Sequence, residues 1–252
     1  LFNANLYGLS EKKNSNDLHH KLLNIDFCKQ FFFNISNKNK LFNVIKKTNP
    51  EIIFHLAAQP LVIDSYDKPY DTFISNTFGL LNLLDCLKII NKKCVVIVIT
   101  SDKVYLNNDN KKKFIETDIL GGIDPYSVSK SCGELIFKSY FESFLKNSNI
   151  KVSVARAGNV IGGGDWSKNR IIPDAFKSWN NFKPLKIRNP NSTRPWQHVL
   201  DPLSGYIILG YILNKNKKIN GEAFNFGPNF KTDVNVLKLI KMLGSNYKYS
   251  KV

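Results

Sequence analysis

The sequence predicts an α/β fold: a doubly wound parallel sheet with helices on both faces and a small second lobe. Three observations predict it. Strand-like and helix-like segments alternate through the first 157 residues. The strand candidates EIIFHLAAQ (51–59), CVVIVIT (94–100) and KVSVARA (151–157) are continuous apolar runs, as expected of strands buried on both faces. Past residue 158 the text becomes glycine-rich and broken, GNVIGGGDW then PLKIRNPNSTRPWQHVLDPLSGY, which reads as a lobe over the sheet's carboxyl edge. The predicted division is 1–158 for the sheet domain and 159–252 for the lobe, with 201–213 and 222–227 packing back on the sheet.

The elements follow in order. Residues 1–10 read as the end of a helix and a short strand, LYGLS (6–10). A polar loop, SEKKNSNDLHHKLLN, comes next, then a strand at QFFFN (30–34). LFNVIKKTN (41–49) has helical periodicity and stops before Pro50. YDTFISNTFGLLNLLDCLKII (70–90) is a long amphipathic helix. A loop with three lysines (111–113) leads to DPYSVSKSCGELIFKSYFESFL, a helix opened by Pro125. EAFNFGP (222–228) supplies a last strand.

Composition narrows the classes. The chain has 252 residues, 43% of them hydrophobic, enough for a sizeable core. No unbroken apolar run approaches the ~20 residues of a membrane helix. The longest, CVVIVIT and GYIILGYIL (205–213), fit buried elements, so the sequence reads as soluble. It begins with Leu1 rather than Met, which reads as a piece of a longer chain. Cys28, Cys86, Cys94 and Cys132 show no CxxC spacing and the histidines no metal pattern, which fits a reducing cytoplasm and no metal site.

The net charge of +16 invites a nucleic-acid reading, but the basic residues are mostly lysines dispersed among asparagines. The arginines are only four, Arg156, Arg170, Arg188 and Arg194, all within 156–194. A guanidinium suits planar or bidentate contact to phosphate, so the cluster points to a bound anion.

Ligands of such sheets bind at the carboxyl ends of the strands. Those ends are His55-Leu56-Ala57-Ala58-Gln59, Thr100-Ser101-Asp102-Lys103 and Arg156-Ala157-Gly158-Asn159. Tyr126 and Lys130, four apart, share one helix face. A nearby ammonium favours the phenolate, making Tyr126 a workable base, and the Ser101 hydroxyl can hold a substrate oxygen.

Taken together, PEIIFHLAAQPLV (50–62), TSDKVY (100–105), GGIDPYSVSKSCGEL (121–135), ARAGNVIGGGDW (155–166), IRNP (187–190) and RPWQHVLDPLSGY (194–206) resemble the extended short-chain dehydrogenase/reductase family, its nucleotide-sugar epimerase/dehydratase branch and, more narrowly, the CDP-glucose 4,6-dehydratase group. The resemblance runs from about residue 30 onward and implies a Rossmann-like sheet, bound NAD and a homo-oligomer. It implies cofactor contacts from Asn34, Ile35, Leu56, Ala57, Ala58, Gln59, Asn76, Thr100, Tyr126 and Lys130. Tyr126 would take the proton of the sugar 4-hydroxyl while hydride leaves C4, with Lys130 on the nicotinamide ribose. Asp102 would protonate the departing 6-hydroxyl and Lys103 would be the base at C5. A lysine base must be neutral, which calls for burial or a neighbouring cation. Arg170, Arg188 and Arg194 would face the nucleotide, Asn159 would hydrogen-bond the substrate, and His198 would contact the nucleotide or simply pack. Trp166 and Trp196 read as core or pocket wall, or as a stacking surface for cytosine.

The chain departs from the family text in two places. A strand–GxxGxxG–helix fingerprint is absent, and the strand it belongs to is central in the 3-2-1-4-5-6 order. Strands two and three are therefore expected to lose their link to strand four, and the chain as written to bind NAD weakly and fold poorly. Asn34 also stands where the family carries an acid near the adenine. The rival readings are a related epimerase or dehydratase, a non-catalytic Rossmann-like binder, and a nucleic-acid binder, the last disfavoured by the dispersed lysines.

Overall fold

The computed structural model describes residues 4–11, 26–107, 113–228, 234–245, 247 and 250. Most of the polar loop after β1 and part of the lysine loop at 111–113 lie outside these residues.

In chain order the elements are β1 (Leu6–Ser10), β2 (Cys28–Phe32), α1 (Lys38–Thr48), β3 (Ile52–His55), α2 (Val62–Asp67), α3 (Pro69–Ile90), β4 (Cys94–Ile99), α4 (Pro125–Tyr140), β5 (Ile150–Ala157), β6 (Val160–Ile161), α5 (Ile171–Asn180), β7 (Gln197–His198), α6 (Leu200–Lys215), β8 (Ala223–Phe226) and α7 (Val236–Gly244). Two strand limits differ from the sequence reading. The predicted strand at 30–34 starts and ends two residues earlier, because the Asn34 side chain turns the backbone by accepting from Ser36 N at 2.8 Å. The apolar run at 51–59 is strand only through His55, where the Leu56–Gln59 turn begins.

Four strands form one sheet in the order β3-β4-β5-β8. β3 with β4, and β4 with β5, are parallel, with Ile53 opposite Val96 and Val96 opposite Val152. β1 and β2 pair in parallel as a separate two-stranded sheet. Among the described residues no strand joins the two sheets. The edge strand β3 accordingly leaves Ile52 and Phe54 exposed.

The chain divides into two compact units, residues 1–156 with 206–225, and 157–205 with 226–252. In the first, Leu80, Leu83, Leu84 and Leu87 of α3 meet Val96 and Val98 of β4, Val152 and Val154 of β5, and Phe137 of α4. Each such side chain, fully buried, contributes about 1.5–3 kcal/mol. This explains why α3 has the length and hydropathy of a membrane span: its leucines fill a protein core. The second unit has its own smaller core of Ala175, Trp179, Leu185 and Ile240, with Tyr247 stacked on Trp179 at 5.5 Å.

Two segments do not behave as the sequence predicts. The run 205–213 is not a buried element throughout: Tyr206, Leu209 and Leu213 are buried, but Ile207, Ile208, Tyr211 and Ile212 face solvent, since one helix cannot bury every side of a continuous apolar run against one sheet. α3 is not uniform either. Its residues Ile74–Phe78 form a π-turn, and a second π-turn, Phe141–Leu145, continues α4.

Candidate active site

Three local devices bring the predicted residues together in the first unit. The first is the start of α4. Gly122 has a φ of 149°, where an added Cβ would lie 2.6 Å from Ser127 Cβ, so the chain enters the helix along a path open to glycine alone. Asp124 caps the helix, accepting from Ser127 N at 2.9 Å and Ser127 Oγ at 2.7 Å, and Pro125 occupies the first turn. Tyr126 and Lys130 then lie one helical turn apart, both buried, and Tyr126 N donates to Ser65 Oγ of α2. The serines of this helix are structural: Ser129 Oγ donates to Tyr126 O at 2.7 Å, and Ser131 Oγ to Val104 O at 2.9 Å.

The second device is the loop after β4. Ser101 is buried, donates to Asp102 Oδ1 at 3.1 Å and accepts from Lys103 N at 3.2 Å, opening a short 3-10 turn over Asp102–Val104. Asp102 is half-buried. Lys103 is exposed, whereas a base role there calls for burial or a neighbouring cation; the turn that caps on Ser101 directs the side chain to solvent.

The third is the turn after β3. Asn76 Oδ1 accepts from Gln59 N at 2.7 Å, while its Nδ2 donates to Gln59 O at 3.1 Å and Ser129 Oγ at 2.9 Å. Gln59 spends its own amide on Leu61 and Thr72. Both side chains shape the turn. Ala57 and Ala58 line it with small side chains, Leu56 is exposed, and Ile35 packs into the core. Asn34, also expected at the cofactor, donates to Glu11 besides accepting from Ser36 N.

The electrostatics centre on Lys130. Among the described residues its Nζ makes one long hydrogen bond, 3.4 Å to Ile99 O. Burial pushes its pKa down to about 8, with Glu134 pulling the other way. His55, at the end of β3, is driven down to about 3 by burial and then by the Lys130 charge, so it is neutral at ordinary pH.

Sequence reasoning missed Glu134. It is buried on α4, one turn past Lys130, and holds Arg156 through Nε at 3.0 Å and Nη2 at 2.5 Å and Thr100 Oγ1 at 2.6 Å. The available signal was its spacing, since Tyr126, Lys130 and Glu134 stand at i, i+4 and i+8. Arg156 is therefore committed inside the protein, and the anion-binding reading of the arginine cluster does not extend to it.

The other predicted substrate residues belong to the second unit. Arg170 pairs with Asp165 at 3.1 Å, Arg188 reaches Asn169 O at 3.4 Å, and Arg194 donates to Thr193 O at 2.7 Å. Arg188, Arg194 and His198 are exposed, His198 Nδ1 accepting from Leu200 N. Asn159 O accepts from Gln197 N beside the β6–β7 pair. Trp166 is exposed, and Trp196 is half-buried with its indole N–H on Val234 O.

Comparison with known proteins places this geometry. The family described as GDP-mannose 4,6 dehydratase matches residues 4–246. The CDP-glucose 4,6-dehydratase of Salmonella typhimurium is 44% identical over 208 residues, covering 81% of this chain and 58% of that protein. This chain thus spans little more than half of that relative. The dTDP-D-glucose 4,6-dehydratase of Dictyostelium discoideum is 30% identical over 232 residues, 87% of this chain and 50% of that one. Among solved structures, the UDP-glucose 4-epimerase of Thermotoga maritima superposes with a TM-score of 0.81 at 22% identity, covering 97% of this chain and 75% of that one. A dTDP-glucose 4,6-dehydratase from Streptomyces venezuelae does so with a TM-score of 0.78 at 19% identity, covering 97% and 72%. Both likenesses show the Rossmann-like fold. The chain belongs to the GDP-mannose 4,6 dehydratase family.

Proposed function

We propose that this chain is the larger part of an NAD-dependent nucleotide-sugar 4,6-dehydratase acting on CDP-D-glucose and yielding CDP-4-dehydro-6-deoxy-D-glucose. One observation carries the reading: the loop bearing Ser101, Asp102 and Lys103 is tied by Ser131 to the helix bearing the buried Tyr126–Lys130 pair. A redox step alone needs a hydroxyl, a phenol and an ammonium. The extra acid and amine on the loop suit an elimination. The 44% identity to a CDP-glucose 4,6-dehydratase supports the nucleotide.

The residues fit NAD at its nicotinamide-ribose end. Lys130 sits buried at the strand ends, and among the described residues its Nζ donates only to Ile99 O, at 3.4 Å, which leaves N–H donors for a ribose diol. At the adenine end the fit is poorer, because the Asn34 amide is engaged by Glu11 and Ser36. NAD, when bound, supplies the hydride acceptor and donor.

The chain's own residues then have distinct tasks. Ser101 orients the sugar 4-hydroxyl, and Tyr126 removes its proton with Lys130 stabilising the phenolate. Asp102 delivers a proton to the departing 6-hydroxyl. Lys103 takes the proton from C5, which requires that substrate or a rearranged loop cover a side chain that is exposed here. Arg170, Arg188 and Arg194 serve the diphosphate, Asn159 a sugar hydroxyl. The second unit, as the substrate lobe, belongs to this reading. So does a homo-oligomer, supported by exposed Phe78 and Leu135 on α3 and α4. So do a cytoplasmic place in deoxysugar or lipopolysaccharide synthesis and the four free thiols.

The test is product analysis by mass spectrometry after incubation with NAD and CDP-glucose. A 4-keto sugar lighter by one water supports dehydration. An isomer of unchanged mass makes the protein an epimerase, and unchanged substrate overturns the reading.

A further inference from the structure

The loop Thr100–Tyr105 is held at both ends by the two partners of one buried ion pair. Thr100 Oγ1 donates to Glu134 Oε1 at 2.6 Å. At the far end, Arg156 Nη1 donates to Tyr105 Oη at 2.8 Å and to Glu116 O at 2.9 Å, with its guanidinium carbon 4.9 Å from the centre of the Tyr105 ring. Tyr105 is fixed again by Asn225 Oδ1 at 2.6 Å and by the Phe114 ring stacked at 4.8 Å. Glu134 and Arg156 are themselves joined by three hydrogen bonds of 2.5–3.0 Å, both almost fully buried. Between the two anchored ends lie Ser101, Asp102 and Lys103. Glu134 also stands one turn from Lys130 on α4.

We propose that Glu134 and Arg156 are positioning residues: their ion pair fixes the loop of Ser101–Lys103 against the helix of Tyr126 and Lys130. One turn from Lys130 on the same helix, the Glu134 carboxylate also favours the Lys130 ammonium. The proposal rests on the dehydratase reading only for what the loop does in turnover. A buried pair is a poor source of net stability, since desolvation offsets much of its attraction. Here the pair supplies geometry: one carboxylate ties a strand end, a helix and, through Arg156, the far end of the loop. Among the described residues, the titratable groups that bear on Lys130 are His55 from β3 and Glu134 from its own helix, where Tyr126 shares its face; Arg156 from β5 is paired with Glu134. With His55 neutral above pH 4, Glu134 is the anion that favours the Lys130 ammonium, against the larger effect of burial.

Two variants of the full chain test this. The Lys130 titration is followed by NMR of carbon-13-labelled lysine, assigned with Lys130→Arg, without substrate. In Glu134→Gln the Lys130 midpoint is expected to fall by about one pH unit, and the alkaline limb of turnover to move with it. Thr100→Val cuts only the tie between ion pair and loop. In the folded variant it is expected to lower kcat about tenfold at saturating NAD, with the Lys130 midpoint unmoved. An unmoved Lys130 midpoint in folded Glu134→Gln overturns the charge role, and wild-type kcat in Thr100→Val overturns the loop role. If Glu134→Gln does not fold, Thr100→Val still decides the loop. If wild type shows no turnover, the dehydratase reading fails while the Lys130 midpoint still decides the charge role.

Discussion

The Asn76 side-chain amide clasps the main chain of Gln59 from both sides, accepting from its N–H at 2.7 Å and donating to its carbonyl at 3.1 Å. With the third bond to Ser129 Oγ, one buried amide joins the turn after β3 to the helix of Tyr126 and Lys130.

Asn76→Ala removes three buried hydrogen bonds and strands the Gln59 N–H. The expected loss is about 2–4 kcal/mol, read as a lower urea midpoint at unchanged slope. A loss below half a kcal/mol would mean that water replaces the clasp.

Acid should unfold the protein in part through His55. Its pKa drops on folding from 6.5 to about 3, so between those values the unfolded chain binds a proton that the native chain refuses. Stability is therefore complete above pH 6.5 and falls as pH drops toward 3, by a few kcal/mol for this one group. His55→Gln should flatten the dependence of denaturation midpoint on pH across that window.

Kinetics should separate the two halves of the proposed site. Tyr126→Phe is expected to slow the first step by about a hundredfold or more, seen as loss of the transient NADH signal at 340 nm under single-turnover conditions. Lys103→Ala and Asp102→Asn should keep that signal and lose water elimination. Normal elimination in Lys103→Ala would remove Lys103 as the base.

Thiol chemistry should sort the cysteines. Burial raises the Cys86 pKa to about 11 and the Cys94 pKa to about 12, whereas Cys28 and Cys132 are partly exposed. A disulfide reagent at pH 8 should titrate Cys28 and Cys132 first. Cys86 and Cys94 should react only once denaturant opens the fold. Four equally fast thiols would contradict the core packing.

The sheet was legible because both faces of β4 are buried: CVVIVI has no polar alternation to misread. α4 was legible because its cap, its first-turn proline and its Tyr–Lys spacing are all local. What escaped is what the fold assembles from afar. Glu134 and Arg156 are 22 residues apart, and the i, i+4, i+8 spacing that puts Glu134 on the face of Lys130 does not announce its partner. Asn76 entered as a cofactor contact through the family resemblance alone; its hydrogen-bond partners here come from residues 17 and 53 positions away. Lys103 was legible as a chemical type but not in its exposure, which the 3-10 turn decides.

The π-turn Ile74–Phe78 has a consequence for how this sequence can vary. It lets neighbouring Asn76 and Thr77 both reach Ser129, one at its hydroxyl and the other at its carbonyl. Such a turn accommodates one residue more than the α-helical ladder needs. Excising a single residue of ISNTF would leave a helix, yet turn everything beyond it by about 100°. Leu80, Leu83, Leu84 and Leu87 would then swing away from β4 and β5 while Asn76 stayed behind. Substitutions here are graded in effect, but a one-codon deletion forces a choice between the clasp and the core, so chain length in this stretch is constrained more tightly than residue identity.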